Sequence, residues 1–397
     1  MNTARKDRHR TREETDARRA AGYSREAILI VCLALLAALF AVTGGVSRLY
    51  HKKVHQLGDA WFAKGEAAFR SGNSAAVADY RNALVYSPDN PVFQLHLAQA
   101  LAASGGGEEA RSYLINLLMG SPGSGEINLE LARIDAREGD SQESIRYYHS
   151  AIYGVWERDP LLMRWRVRRE LCEYLLDHGH ANGAQPDVIA LAQEAPPGDL
   201  DRQRESAEFL LRAGLQARAL DEFRSVLTAN SQDADALVGA GAAAFQLAQY
   251  SEALKFFNRI PREKKLSPDV EGMLTTARQV ETANPFAPGL SMAEKAKRTA
   301  DAIARVQSRA AGCVLEHGRV PSETQGLAGL QETLATFTQN KRTWSEENLR
   351  RRPSQINAAM SAVFAAEDAT TLICGQPQEE QDRTLLLLSR SRANGSR

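Results

Sequence analysis

The chain has 397 residues, 43% hydrophobic and 25% charged, which is enough apolar material for a large core. Lysine plus arginine and aspartate plus glutamate both number 49, so net charge gives no basis for a nucleic acid or an acidic polymer as partner. Aromatics are 7%, alternating strand-like runs are scarce, and alanine, leucine, glutamate and arginine dominate, which points to an all-α protein.

Residues 1–26 read as a basic, disordered tail. From Ala27 to Ser47, "AILIVCLALLAALFAVTGGVS", there are 21 residues without a charge, close to the ~20 a helix needs to cross a bilayer core. A cleaved signal peptide competes, but its apolar core is shorter and it ends in a small-x-small site; the candidates near Ala41 and Thr43 are poor. Val31 before Cys32 is too large for a lipoprotein site. An uncleaved anchor over 27–47 is therefore expected. Before it stand Arg5, Lys6, Arg8, Arg10, Arg12, Arg18, Arg19 and Arg25; the stretch after it holds Arg48, Lys52, Lys53 and Lys64. Excess positive charge stays in the cytoplasm, so the expectation is a single-pass protein of the bacterial inner membrane, N-terminus inside, with residues 48–397 in the periplasm. Residues 48–57 read as a juxtamembrane connector.

Beyond the connector a pattern recurs. Ala76, Ala110 and Ser144 are 34 residues apart, as are Ala219 and Ala253; the gap from 144 to 219 is 75, or 34 plus 41. Pro88 and Pro122 repeat the interval. A fixed period of this size marks an array of helical hairpins. Each marked residue is small because two helices cross there. Four residues on comes a large apolar side chain, Tyr80, Leu114, Tyr148, Phe223 and Phe257, one turn along the same face. In this respect the chain resembles the tetratricopeptide repeat family: Trp61 and Gly65, then Ala76, Tyr80 and Pro88, follow its signature, as do Gly139–Asp140 in 130–152 and Gly241, Tyr250, Ala253 and Phe257 in 239–260. Five hairpins and one irregular one cover 58–264. The irregular unit, 160–198, carries Pro186, Pro196 and Pro197 and shows no clear small residue at its crossing. The resemblance implies a membrane-anchored bacterial solenoid that holds protein partners; the motif is specific for fold and almost silent on function.

Residues 268–283 read as a capping helix, closing the array region at 58–284, and "NPFAPG" (284–289) as a boundary. The C-terminal region, 285–390, matches no family signature. Helices are expected over 291–313 with Ser291 and Glu294 as a capping pair, over 324–339, over 354–373 and over 379–390, with 391–397 disordered.

No motif for catalysis emerges. "GAGAAA" (239–244) imitates a dinucleotide fingerprint but lies inside a repeat helix, where small residues pack. "HGH" (178–180) has no third metal ligand nearby and reads as a polar turn. "RWRVRRE" (164–170) reads as a solvated basic face, ahead of an acidic protein partner or a lipid headgroup. The C-terminal region offers Glu316, His317, Glu323, Glu367 and Asp368 in no recognisable arrangement. Of four cysteines, Cys32 is in the apolar run and Cys172 reads as a small buried residue. Cys313 and Cys374 remain, each at a helix end. In an oxidising compartment they are expected to pair, the alternative being two free buried thiols.

The groove of arrays in this family is lined by first-helix residues. Extrapolated position by position, the resemblance implies Glu66, Phe69, Arg70, Gln99, Glu130, Arg133, Arg137, Glu208, Arg212, Phe245 and Gln246 as a partner-binding face. Their mixed signs argue against a purely acidic or basic ligand. The expectation is a membrane-tethered periplasmic scaffold for an envelope complex, binding protein and neither nucleic acid nor a small-molecule substrate, with no cofactor and no catalysis. Accessory service to a polysaccharide or secretion machine is the alternative. An enzyme with its chemistry in the C-terminal region stands third.

Overall fold

In a computed structural model, which describes residues 4–317 and 324–395, the described elements are eighteen α-helices and one isolated bridge between Ser124 and Val155. The chain divides into two compact units, Met1–Pro160 and Leu161–Arg397.

The first unit begins with one helix, α1 (Ala4–Arg70), 67 residues without interruption. It holds an apolar window of mean hydropathy 2.8, none of it buried, long and apolar enough to cross a membrane. Where disorder is expected over 1–26 and a connector over 48–57, the backbone is helical from Ala4 onward. The physical reason is in the composition: both stretches lack proline and are rich in good helix formers. The end of α1 is also the first helix of the first hairpin. It packs against α2 (Ala75–Tyr86), with Gly65 facing the buried ring of Tyr80, where a Cβ would sit 2.7 Å from the ring.

Two more hairpins follow, α3 (Pro91–Ala103) with α4 (Gly107–Gly120), and α5 (Gly125–Glu138) with α6 (Ser141–Ile152). Asn90 caps α3 by accepting from the Val92 and Phe93 amides at 3.0 and 3.4 Å, with Pro91 at the first helical position. Gly139, at φ 83°, ends α5 in the left-handed conformation a hairpin turn requires. Ala76, Ala110 and Ser144 are all buried at the crossings, and the Ser144 hydroxyl donates to the Ala132 carbonyl at 3.1 Å.

The second unit starts with the irregular hairpin, α7 (Pro160–Asp177) and α8 (Ala181–Glu194). It does have a small residue at its crossing: Ala184 is fully buried with Val188 one turn on. The crossing sits 40 residues after Ser144 and 35 before Ala219, one residue off the 34-residue period. Pro186 lies inside α8, and Pro196 and Pro197 lie between α8 and the next helix. Regular hairpins resume with α9 (Leu200–Arg212) and α10 (Gln216–Ala229), then α11 (Ala234–Gln246) and α12 (Tyr250–Phe257). The glycines of "GAGAAA" are packing residues. A Cβ on Gly239 would lie 2.2 Å from the Phe223 ring and one on Gly241 2.3 Å from the Phe257 ring. Ala253, on α12, has no exposed surface. Ala253→Arg is expected to destabilise by more than about 3 kcal/mol, from overpacking plus a buried unpaired charge. An unchanged melting curve of the detergent-solubilised chain would place this residue elsewhere.

α13 (Pro268–Ala283) caps the array, and α14 (Met292–His317), α15 (Thr324–Gln339), α16 (Glu346–Arg351), α17 (Ser354–Cys374) and α18 (Glu380–Gly395) form a bundle against it. The short α16 is absent from the sequence reading, and α18 runs on through residues expected to be disordered. One hydrophobic core joins Tyr250, Ala277 and Val280 of the array end to Val306, Phe337, Trp344, Met360, Val363 and Leu385 of the bundle. It therefore continues across 284–289, where composition alone suggests a boundary. Cys313 and Cys374 are bonded, with Cα atoms 6.0 Å apart, beside a smaller cluster around Ala310 and Leu330.

Candidate protein-interaction face

In the first unit the first-helix residues of successive hairpins form a polar ladder. Glu66 accepts from the Tyr80 hydroxyl at 2.6 Å and pairs with His96 at 2.7 Å, above stacked Phe62 and Phe93 whose centroids are 4.7 Å apart. Burial first, and the Glu66 hydrogen bond second, push the Tyr80 hydroxyl pKa up. Gln99 donates to Glu126 at 3.2 Å and to Glu130 at 3.5 Å, and Glu130 in turn accepts from Arg133 at 3.0 Å. Phe69, Arg70 and Arg137 lie exposed at the far ends of their helices. Of the seven residues expected here, Gln99, Glu130 and Arg133 are brought together. Glu66 faces its own aromatic cluster.

In the second unit the face is built mainly from residues the sequence reading did not select. Arg169 pairs with Glu173 at 3.0 Å and with Glu205, and Arg212 pairs with Asp177 at 2.6 Å. The Arg169 and Arg212 guanidinium carbons both lie over the Phe209 ring, at 5.9 and 5.5 Å. The signal was available: Arg169, Glu173 and Asp177 are spaced four apart on α7, opposite Glu205, Phe209 and Arg212 on α9. Glu208 and Gln246 are exposed. Phe245 is half-buried instead, edge-on to Tyr250 at 5.3 Å and packed on the bundle core.

"RWRVRRE" is not a solvated face as a whole. Arg168 is buried and held by Asp187 at 2.8 Å and Glu194 at 3.0 Å, both on α8. "HGH" forms a turn, with a His178 ring nitrogen 2.7 Å from the Tyr174 carbonyl. Among the described residues no cluster of metal-ligating side chains occurs.

In the bundle, Glu367 is buried against Arg309, which also donates to the Gly375 carbonyl at 2.8 Å. Its second carboxylate oxygen is buried without a hydrogen-bond partner among the described residues. Burial pushes this carboxyl up to about 7, against the pull of Arg309. Because the folded pKa lies above the ordinary 4.5, the native state keeps a proton that the unfolded chain has released. Stability therefore falls as pH rises from about 4.5 to about 7 and levels off above that. Glu367→Gln is expected to flatten this part of the pH profile of urea midpoints; identical slopes in variant and wild type would refute the assignment. The Ser389 hydroxyl donates to Asp368 at 3.4 Å and Glu316 is exposed, while the His317 side chain and Glu323 lie outside the described residues. Between α13, α14 and α18 lies a cleft of about 510 Å³ lined by Arg278, Asp301, Arg305 and Glu380 among others. Arg298 at its edge donates to the Glu281 and Asn284 carbonyls at 2.9 and 3.0 Å, which ties down the end of α13.

Stacked antiparallel helix pairs with a polar, ion-paired first-helix face define a helical-repeat protein of the class that binds other proteins. Residues 210–276 match the family model described as "Tetratricopeptide repeat". A protein of Arabidopsis thaliana named TPR repeat-containing thioredoxin TTL4 is 32% identical over 108 residues, 26% of this chain and 16% of that protein. The chain thus spans a small part of that relative's length. Among solved structures, YrrB, titled a TPR protein with an unusual peptide-binding site, is 14% identical, with TM-score 0.37 over 50% of this chain and 97% of that one. PilF of Pseudomonas aeruginosa is 16% identical, with TM-score 0.40 over 56% and 99%. PilW, titled a widely conserved type IV pilus biogenesis factor, is 18% identical, with TM-score 0.40 over 55% and 99%. Likenesses of this degree carry no argument about function.

Proposed function

We propose that this chain is a membrane-tethered scaffold: it crosses the inner membrane once at 27–47, N-terminus in the cytoplasm, and presents its repeats in the periplasm to protein partners of an envelope complex. It works by holding and not by converting. The observation that carries this reading is the continuity of α1. A span that is also the first helix of the first hairpin fixes the first unit to the bilayer without a flexible joint. The arginine excess before the span supports the orientation. In the first unit the ladder Gln99–Glu130–Arg133, and separately in the second the pair Arg212–Asp177, each offer exchangeable hydrogen bonds to an extended peptide. A partner would be recognised by backbone and mixed polar side chains, not by net charge.

Two measurements test the proposal. A reporter active only in the periplasm, fused at the C-terminus, is expected to be active; activity of a cytoplasm-only reporter there would overturn the orientation. Crosslinking and co-purification from native membranes is expected to recover one recurring protein complex, weakened by Arg133→Glu. Recovery of nothing, with substrate turnover by the purified chain, would replace the scaffold by an enzyme.

A further inference from the structure

The first unit carries an exposed apolar stripe that the groove does not use. Val85 on the last turn of α2, Met119 on the last turn of α4 and Tyr153 just past α6 are 72, 74 and 70% exposed. They are 34 residues apart, the repeat period, so they occupy one position in three consecutive hairpins. The corresponding positions in the later hairpins, nine residues after each crossing residue, are Gln193, Thr228 and Arg262. The apolar choice is therefore confined to the hairpins nearest the N-terminus. Val92, in the first turn of α3, and Val155, between α6 and α7, are exposed beside them.

These residues share one edge of the unit, and that edge is the one toward the apolar segment. The Ser87 hydroxyl lies 3.4 Å from a ring nitrogen of His55, and a Cβ on Gly58 would meet Ser87, Ala83 and Phe93 at 3.2 to 3.5 Å. The α2–α3 turn thus sits level with residues 55–58 of α1. α3 leaves this edge and α4, of nearly equal length, returns to it; α5 and α6 repeat the excursion. The return is closed by the Val155 amide donating to the Gly123 carbonyl at 2.7 Å and the Gly125 amide to the Val155 carbonyl at 2.9 Å.

From Ser47 to residues 55–58 is 8 to 11 residues of helix, or about 12–16 Å. The headgroup layer takes up roughly 5–7 Å of that. A tilt of about 20°, ordinary for a single span, lowers an edge about 30 Å to the side by about 10 Å. With no joint in α1, this one tilt lowers the edge in proportion to distance from α1, most at the third hairpin and least at Val85. Arg48, Lys52 and Lys53 lie between span and edge, the position at which basic side chains favour anionic headgroups. Asp89 in the α2–α3 turn is exposed and keeps the contact at headgroup level.

We infer that the edge bearing Val85, Val92, Met119, Tyr153 and Val155 rests on the lipid surface of the membrane that α1 crosses, so that the hairpins of the first unit lie down beside their anchor. This rests on the reading of 27–47 as a span. The test uses the full chain with Cys32→Ala and Cys172→Ala, in which the remaining native cysteines are the bonded Cys313 and Cys374, reconstituted in phosphatidylethanolamine–phosphatidylglycerol vesicles. Single cysteines carrying a nitrobenzoxadiazole label are placed at Val85, Met119 and Tyr153, and, as far-edge references, at Ala103 and Gln142. Each variant is first matched to its parent by thermal melting. Labels at the three stripe positions are expected to be blue-shifted and quenched by doxyl lipids; the two references are not. A urea wash followed by flotation is done on the same vesicles. Chain that floats with all five labels equally aqueous overturns the stripe and leaves the span standing. Chain stripped off by urea overturns the span and the stripe with it. Stripe labels shielded in detergent as in vesicles, without lipid quenching, mean contact with a second copy and also overturn the inference.

Discussion

Arg168→Ala is expected to lower stability by about 3–5 kcal/mol, the cost of breaking a buried ion pair by removing one partner. Arg168 is only 3% exposed. Its Nη1 holds Asp187 at 2.8 Å, and its Nε and Nη2 hold the two oxygens of Glu194 at 3.0 Å. One guanidinium therefore compensates two carboxylates on α8. Removing it leaves both in a poorly solvated site and takes away the tie between the two helices of the irregular hairpin. The loss is expected first as reduced amide protection in α7 and α8, since repeat arrays open locally. Arg166→Ala, in the same basic run but exposed, is expected to change stability by no more than about 0.5 kcal/mol. Urea unfolding with hydrogen exchange, on the detergent-solubilised chain, separates the two. Equal small effects would mean that the run is a solvated face after all.

The second large effect concerns Cys313 and Cys374, 61 residues apart in sequence. Closing a loop of that size restricts the unfolded chain by about 4 kcal/mol on the chain-entropy model. The native side is prepared for it: Val314, Leu334, Ala369 and Ile373 pack around the pair, and Arg309 fixes the Gly375 carbonyl next to Cys374. Cys313→Ser with Cys374→Ser is expected to loosen α14, α15 and α17 by about that amount while the hairpins before α13 keep their protection. Peptide mapping without reduction is expected to recover the two cysteines in one linked species. Two separately alkylatable thiols would refute the bond, and would weaken the periplasmic assignment, since such bonds persist in oxidising compartments.

Local pattern was enough for the helices. The 34-residue interval, the buried residues Ala76, Ala110, Ser144, Ala219 and Ala253, and the spans of α13, α15 and α17 were legible because periodicity and capping act within one or two turns. The glycines of "GAGAAA" were legible as packing residues for the same reason: a phenylalanine lies across each crossing. What partner a side chain meets was not legible. Arg168 has the same local surroundings as Arg166, yet one is buried by α8 and the other faces solvent. Phe245 sits at a groove position by register, and only the arrival of the bundle core half-buries it. The crossing at Ala184 escaped because the extra residues before α7 shift the period, and their conformation depends on pairing between 123–125 and 155, some thirty residues apart. Helix formation is decided by neighbours along the chain. Burial, ion pairing and the course of the core across 284–289 are decided by segments far apart in sequence, which only the packed structure brings together.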